Sequence, residues 1–319
     1  MIKRYKIGLT FFLVMFSTII IKNYLPLKRS NAEITNEFWI KKTHQKAKKN
    51  IVIGGNSRIY RGVSVESVLS AIDESLTGVN LGYSALGYND EYLDFLLSRL
   101  DTKSKTKIVV LGIDPGPLTD IAAENKSFKS YKKVNYSEVL KTLYINPFFS
   151  ISAYRPSEIA KLFVEDTTNL KGFIEVRENY FGKYDKDGWV ASYKIPSNPS
   201  EALPVYKKFA TDNNVVLSKK IIENLLLRLA DFRKQDIDVV AFRPPSTKAM
   251  QEWENKEFGF DEKKIRNEIE KIGGYWIDIN TSNFQSYDGS HLHYSSAENL
   301  SKLIGEKINE LCISKNKLQ

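Results

Sequence analysis

The chain predicts an α/β fold, a three-layer α/β/α sandwich around a central, mostly parallel, five-stranded sheet. Three observations carry this expectation. Short runs of β-branched and apolar residues recur along the chain, with Lys107–Ile113 and Ile237–Phe242 the clearest. Between them lie segments with apolar residues at helical spacing. The two kinds alternate, which favours parallel strands joined by right-handed crossovers. At 319 residues, 42% hydrophobic and 27% charged, the chain can bury a substantial core and lacks the composition of a disordered protein.

In order, Met1–Lys6 is a basic start, Ile7–Ile21 carries no charge, and Lys22 precedes a further apolar stretch to Leu27. A span needs about 20 residues, and if Lys22 snorkels, Ile7–Leu27 suffices. No small-x-small cleavage site follows, so residues 1–27 are expected to be an uncleaved signal anchor forming a transmembrane helix. Basic residues flank both sides, so the charge rule leaves its orientation open. Residues 28–48 read as a polar, basic linker, and His44 within it as solvated.

The main domain is expected over 49–313, with a tail at 314–319. Lys49–Gly54 is its first strand, and Val63–Leu76 a helix with Val65, Val68, Leu69 and Ile72 on one face. Val79–Gly82 is the second strand. Asn89-Asp90 can cap a helix to Leu100, before the third strand at Lys107–Ile113. Leu217–Lys234 is an amphipathic helix, Ile237–Phe242 the fourth strand, Asp261–Lys271 a helix, Tyr275–Ile279 the fifth strand and Ser296–Leu311 the closing helix. An aromatic-rich insertion at about 115–215 breaks the alternation. Insertions of this size at strand ends are usually lids or binding loops, so it is expected to set specificity.

The chemistry concentrates in two short segments, Ile51-Val-Ile-Gly-Gly-Asn-Ser57-Arg58 and Asp288-Gly-Ser-His291. Glycines after the first strand leave the Ser57 hydroxyl at its carboxyl edge, where open α/β sheets place reactive groups. A serine needs an imidazole to accept its proton, and the imidazole a carboxylate to fix its tautomer. His291 and Asp288 provide both. A metal site is not expected: beyond His291 and His293 only His44 remains, and no carboxylate-rich segment has ligand spacing. No other cofactor is implied either, since Gly54-Gly55 lacks the lysine and spacing of a phosphate loop.

These segments resemble the SGNH, or GDSL-like, hydrolases. Gly55-Asn56-Ser57 matches the first block, Asn80-Leu81-Gly82 the second, Leu111-Gly112-Ile113-Asp114 the third and Asp288-Gly-Ser-His291-Leu292 the last. The resemblance implies a flavodoxin-like sandwich with Ser57 as nucleophile, His291 as general base, Asp288 as its orienting partner, and the amides of Ser57 and Gly82 as oxyanion donors. Asn56 stands where the family usually has Asp. Asp114 stands where an Asn normally donates to the oxyanion, and an ionised carboxylate cannot donate. Asn80, Asp114, Arg58 and Arg243 are candidate substrate-binding residues; for the two arginines a structural ion pair, with Asp114 for example, is the alternative. The Ser-Arg pair, the Val-Asn-Leu-Gly strand end and Phe242-Arg243-Pro244-Pro245 are most similar to the membrane-anchored branch that works beside membrane-bound O-acyltransferases. That branch includes the D-alanine transfer protein of lipoteichoic acid synthesis and the alginate O-acetylation proteins.

The net charge of +9 suits an anionic partner such as a membrane face or an acidic polymer, and no nucleic-acid module is present. Cys312 is the single cysteine and is expected to be a packed thiol. The resulting expectation is a bacterial, single-pass membrane protein whose extracytoplasmic domain is a serine O-acyltransferase or esterase acting on a cell-envelope polysaccharide or polymer. A plain carbohydrate or lipid esterase, or a noncatalytic assembly partner of a membrane-bound O-acyltransferase, are the alternatives.

Overall fold

The computed structural model describes Thr10 and residues 30–72, 75–146 and 172–314. Apart from Thr10, the expected anchor over Ile7–Leu27 lies outside the described residues. Among the described residues no helix is long and apolar enough to cross a membrane.

The chain divides into two compact units. One comprises Met1–His44 and Lys133–Gly172, the other Gln45–Lys132 and Phe173–Gln319. In the first, α1 (Asn31–His44) occupies most of the segment expected to be a linker and buries Phe38, Trp39 and Ile40. Lysine-rich composition concealed it. The three apolar residues are consecutive rather than spaced at helical intervals, so no amphipathic period shows.

The second unit holds a five-stranded parallel sheet in the order β2-β1-β3-β7-β8: Gly78–Asn80, Ile51–Gly54, Ile108–Gly112, Asp238–Phe242 and Tyr275–Ile277. Neighbouring side chains in a strand point to opposite faces. Ile51, Ile53, Ile108, Val110, Val240 and Phe242 therefore share one face, where they form a core with Val65 and Val68 of α3 (Val65–Ser70) and Leu300 and Ile304 of α12 (Tyr294–Ile308). On the other face Gly54 lies so close to α4 (Asp90–Arg99) that a Cβ would come within 2.6 Å of Leu96. Both faces are covered, which is why β1 and β3 read as unbroken apolar runs.

Caps account for the main departure among the central helices. The single helix expected over Val63–Leu76 is two, α2 (Ser57–Gly62) and α3, because Ser64 turns the chain and its Oγ accepts from Ser67 N. Asn89 caps α4, its Oδ1 accepting from Tyr92 N at 2.8 Å.

The second unit's share of the insertion begins with α5 (Asp120–Glu124) and α6 (Lys126–Lys132), and α7 (Tyr136–Leu140) belongs to the first unit. An antiparallel meander follows: β4 (Ile174–Arg177), β5 (Tyr180–Tyr184) and β6 (Val190–Lys194). Next come α8 (Ala202–Asp212) and α9 (Lys219–Lys234). Beyond β7, α10 (Lys248–Phe258) was not foreseen, although Thr247 caps it through Oγ1 and Met250 N; α11 (Glu262–Lys271) was.

Candidate active site

Ser57 opens α2 directly after β1. The turn between them depends on Gly55, whose φ of +147° is one that side-chain-bearing residues rarely adopt and whose absent Cβ would lie 2.4 Å from Ile59. Its N–H donates to the buried Tyr92 hydroxyl at 2.8 Å, and Asn56 caps the helix by accepting from Arg58 N at 2.9 Å. These bonds hold Ser57 half-buried at the carboxyl end of β1.

The other half of the site is a tight loop between Ser286 and Leu292. Ser286 Oγ accepts from Gly289 N at 2.8 Å and donates to His291 O at 2.7 Å, closing the loop on itself. Gly289 has φ +96°, and a Cβ there would lie 2.1 Å from Pro199 O, so this position too requires glycine. Asp288 Oδ1 accepts from the N–H groups of Ser290 and His291 at 2.8 and 2.7 Å. Its Oδ2 lies 2.8 Å from His291 Nδ1, and His291 Nε2 lies 2.9 Å from Ser57 Oγ. With a carboxylate against it Nδ1 carries the proton, and Nε2 is left to accept from serine.

Electrostatics keep the pair in those states. Burial lowers the affinity of His291 for a proton, the Arg61 and Arg58 charges lower it further, and Asp288 opposes them; the net shift is downward. Burial pushes the Asp288 carboxyl up, but the His291 interactions and the two N–H donors outweigh it and hold it below the usual carboxylate range.

The remaining site candidates are engaged elsewhere. Gly82 N donates to Asn80 Oδ1 at 2.9 Å, so this amide is not directed at an oxyanion. Asn80 is fully buried and its Nδ2 donates to Ile59 O and Val63 O at 2.9 and 2.8 Å. It fastens the end of α2 to β2 rather than facing a ligand. Arg58 and Arg243 are buried and share one carboxylate: Arg58 Nη2 meets Glu254 Oε1 at 2.6 Å and Arg243 Nη2 meets Glu254 Oε2 at 2.9 Å. Arg243 also donates to Asn255 and Glu262. The ion-pair alternative thus describes both arginines, with Glu254 of α10 as main partner; Asp114 Oδ1 is 3.9 Å from Arg58. Nothing in the sequence singled out Glu254 among the carboxylates of a helix that was itself unforeseen.

Asp114 is buried and accepts from Asn56 Nδ2 at 3.2 and 2.9 Å and from Gly116 N at 3.0 Å. Burial pushes its carboxyl up against the pull of Arg58. Asn56 and Asp114 are therefore partners across the ends of β1 and β3.

Residues from the insertion approach the histidine loop. The Tyr287 ring stacks on His291 with centroids 5.9 Å apart, and its hydroxyl receives Arg61 Nη1 at 3.2 Å and Ser192 Oγ of β6 at 3.4 Å. Arg61 also lies over the Tyr180 ring of β5, and Tyr206 of α8 bonds to Ser290. Arg61 was discernible in principle, being one helical turn from Ser57; Tyr206 was one aromatic among many. His293 is removed from this chemistry and caps α12, its Nδ1 accepting from Ser295 N at 3.3 Å.

No family model matches this chain, and no curated protein matches it. A solved structure described as "a putative platelet activating factor from Streptococcus pneumonia" aligns over 92% of this chain and 99% of its own, at 12% identity and a TM-score of 0.33. What can be stated of class is architectural: an α/β protein with a central, parallel, five-stranded sheet and a serine, a histidine and an aspartate in series at one edge.

Proposed function

We propose that this protein is a serine esterase or O-acyltransferase of the SGNH type, with Ser57 as nucleophile, His291 as general base and Asp288 as its orienting carboxylate. The observation that carries this is the continuous series Asp288 Oδ2, His291, Ser57 Oγ, with contacts of 2.8 and 2.9 Å. Those distances match what proton transfer from a serine hydroxyl needs. His291 takes the Ser57 proton as Oγ attacks an acyl carbon, and returns it to the leaving group. The covalent acyl-serine then passes its acyl group to a hydroxyl or to water. The Ser57 amide, at the first position of α2, has no partner within the helix and is the donor proposed for the oxyanion.

The finer reading is a single-pass bacterial membrane protein with its domain outside the cytoplasm, acting with a membrane-bound O-acyltransferase on a cell-envelope polymer. Its support is the uncharged Ile7–Ile21 segment, the net charge of +9 and the resemblance of the Ser-Arg and Arg-Pro-Pro segments. Intact-mass measurement after exposure to a p-nitrophenyl ester tests the chemistry. Wild type is expected to gain one acyl group, and Ser57→Ala none. An unmodified wild type together with undiminished envelope acylation in cells carrying Ser57→Ala would overturn the catalytic reading.

A further inference from the structure

Three donors and acceptors beside the proposed triad form a series whose direction is set by chemistry. Arg58 Nε lies 3.0 Å from Ser290 Oγ, and Ser290 Oγ lies 3.0 Å from Tyr206 Oη. A guanidinium N–H can only donate, so Ser290 accepts from Arg58. Ser290 is fully buried, and among the described residues Tyr206 Oη is the one acceptor for its proton. If Tyr206 donated instead, the serine proton would be buried without a partner, which is destabilising. The series therefore runs from Arg58 through Ser290 to Tyr206, and the proton of the tyrosine is left over.

We infer that Tyr206 is a substrate-contacting residue whose hydroxyl donates to an acceptor oxygen of the bound acyl ester. The inference rests on the esterase or acyltransferase reading above. Ser290 directly precedes His291 and Arg58 directly follows Ser57, so the series is built from both segments that carry the proposed reacting residues, and the Asp288 and Arg61 charges lie close enough to act on Tyr206. Tyr206 as a residue is partly exposed, whereas Arg58 and Ser290 are buried, and its hydroxyl, itself buried, is the end of the series that still has a proton to donate. Burial raises its pKa against the pull of Arg58, which keeps the hydroxyl protonated at neutral pH. A donor polarised by an upstream guanidinium is stronger than an isolated phenol. The chemistry it fits is an oxygen that gains negative charge as the ester reacts. Its place on α8 gives the insertion a direct part in substrate recognition.

The test is Tyr206→Phe in the full-length protein, assayed with p-nitrophenyl acetate and by intact-mass labelling of Ser57 with a fluorophosphonate. Losing a donor to a charged oxygen is expected to lower kcat/KM roughly 10- to 100-fold and to slow labelling in parallel. The thermal midpoint should fall by only a few degrees, because the phenyl ring remains and the loss is a single acceptor for the buried Ser290 proton. Ser290→Ala should add little in the Tyr206→Phe background, since both act through one series. A Tyr206→Phe variant within about twofold of wild type, beside an inactive Ser57→Ala, would overturn the inference and leave the serine chemistry standing. Equal losses at the two positions that simply add would also overturn it. Wild type that neither turns over nor labels at Ser57 would overturn the underlying reading, and this inference with it.

Discussion

The serine and histidine halves of the site are held by different means. Ser57 stands on a turn between β1 and α2, and its supports come from the sheet and neighbouring helices: Tyr92 on Gly55, Asn80 on the carbonyls of Ile59 and Val63, and Asp114 on Asn56. His291 stands on a loop that follows only the three-residue strand β8, and its supports arrive from distant chain. Asn198 N donates to Tyr287 O and Ala202 N to Asp288 O, both at 2.8 Å, while Thr247 N donates to Gly289 O at 3.0 Å. A serine can be fixed by a strand and its turn; a histidine that must meet it from 234 residues away needs an outside clamp. The insertion, together with Thr247, provides that clamp, and the Arg58–Ser290 bond ties the halves together.

The largest effects should come from breaking the junction itself. Ser57→Ala and His291→Ala are each expected to cost several orders of magnitude in kcat/KM, with the double variant little worse than either, because the pair acts as a unit. Asp288→Asn should retain more activity. pH sharpens the same point. In the proposed mechanism His291 must be neutral to act, and its pKa lies below the ordinary histidine value, chiefly through burial. The kcat/KM for an ester should therefore hold as pH falls through 6.5, the usual value, and decline only below it. An acid limb centred above that value would show that Asp288 dominates the electrostatics of the histidine half.

Next in size is the ion network behind Ser57. Glu254→Gln leaves Arg58 and Arg243 buried with one charge partner removed, and breaking a buried pair typically costs about 3–5 kcal/mol. Urea denaturation should show that loss. Activity should fall as well, because Arg58 would no longer be held against Ser290. Full stability in Glu254→Gln would mean that Asp114 and Glu262 already compensate both guanidiniums.

The same asymmetry explains what could be read from sequence. The five strands, Ser57 and the Asp288–His291 loop were legible because each depends on local chemistry: apolar runs, glycines at a turn, a carboxylate three residues before an imidazole. The candidate ligand contacts are of another kind. Asn80, Gly82, Arg58, Asp114 and Arg243 stand near the strand ends, where polar groups serve either a ligand or one another, and for the two arginines the ion-pair alternative is the arrangement found. That choice is decided by residues remote in sequence, such as Glu254. The pairing of Asn56 and Asp114 was visible only as two separate departures from the resemblance until their side chains were seen to meet. The meander and α8 escaped because their aromatics pack across strands and helices with no period along the chain.

The smallest effects should distinguish the two kinds of support directly. Tyr92→Phe removes the hydroxyl that receives Gly55 N–H and leaves a buried donor unsatisfied, for which about 1–3 kcal/mol is expected. Ser197→Ala removes a hydroxyl that donates to Tyr287 O at 3.2 Å from an exposed position, where water can replace it. Its cost should be about 0.5 kcal/mol or less. The activities should rank the other way relative to stability. The serine half is a rigid part of the sheet, so a Tyr92→Phe protein that stays folded should keep Ser57 in place. The histidine loop is held by a few bonds from outside, so loosening even a weak one should let His291 drift from Ser57. Kinetics and urea denaturation of the two variants decide this. If Ser197→Ala loses no more activity per kcal/mol of stability than Tyr92→Phe, the loop is rigid by itself through Ser286 and Gly289, and the insertion is not its clamp.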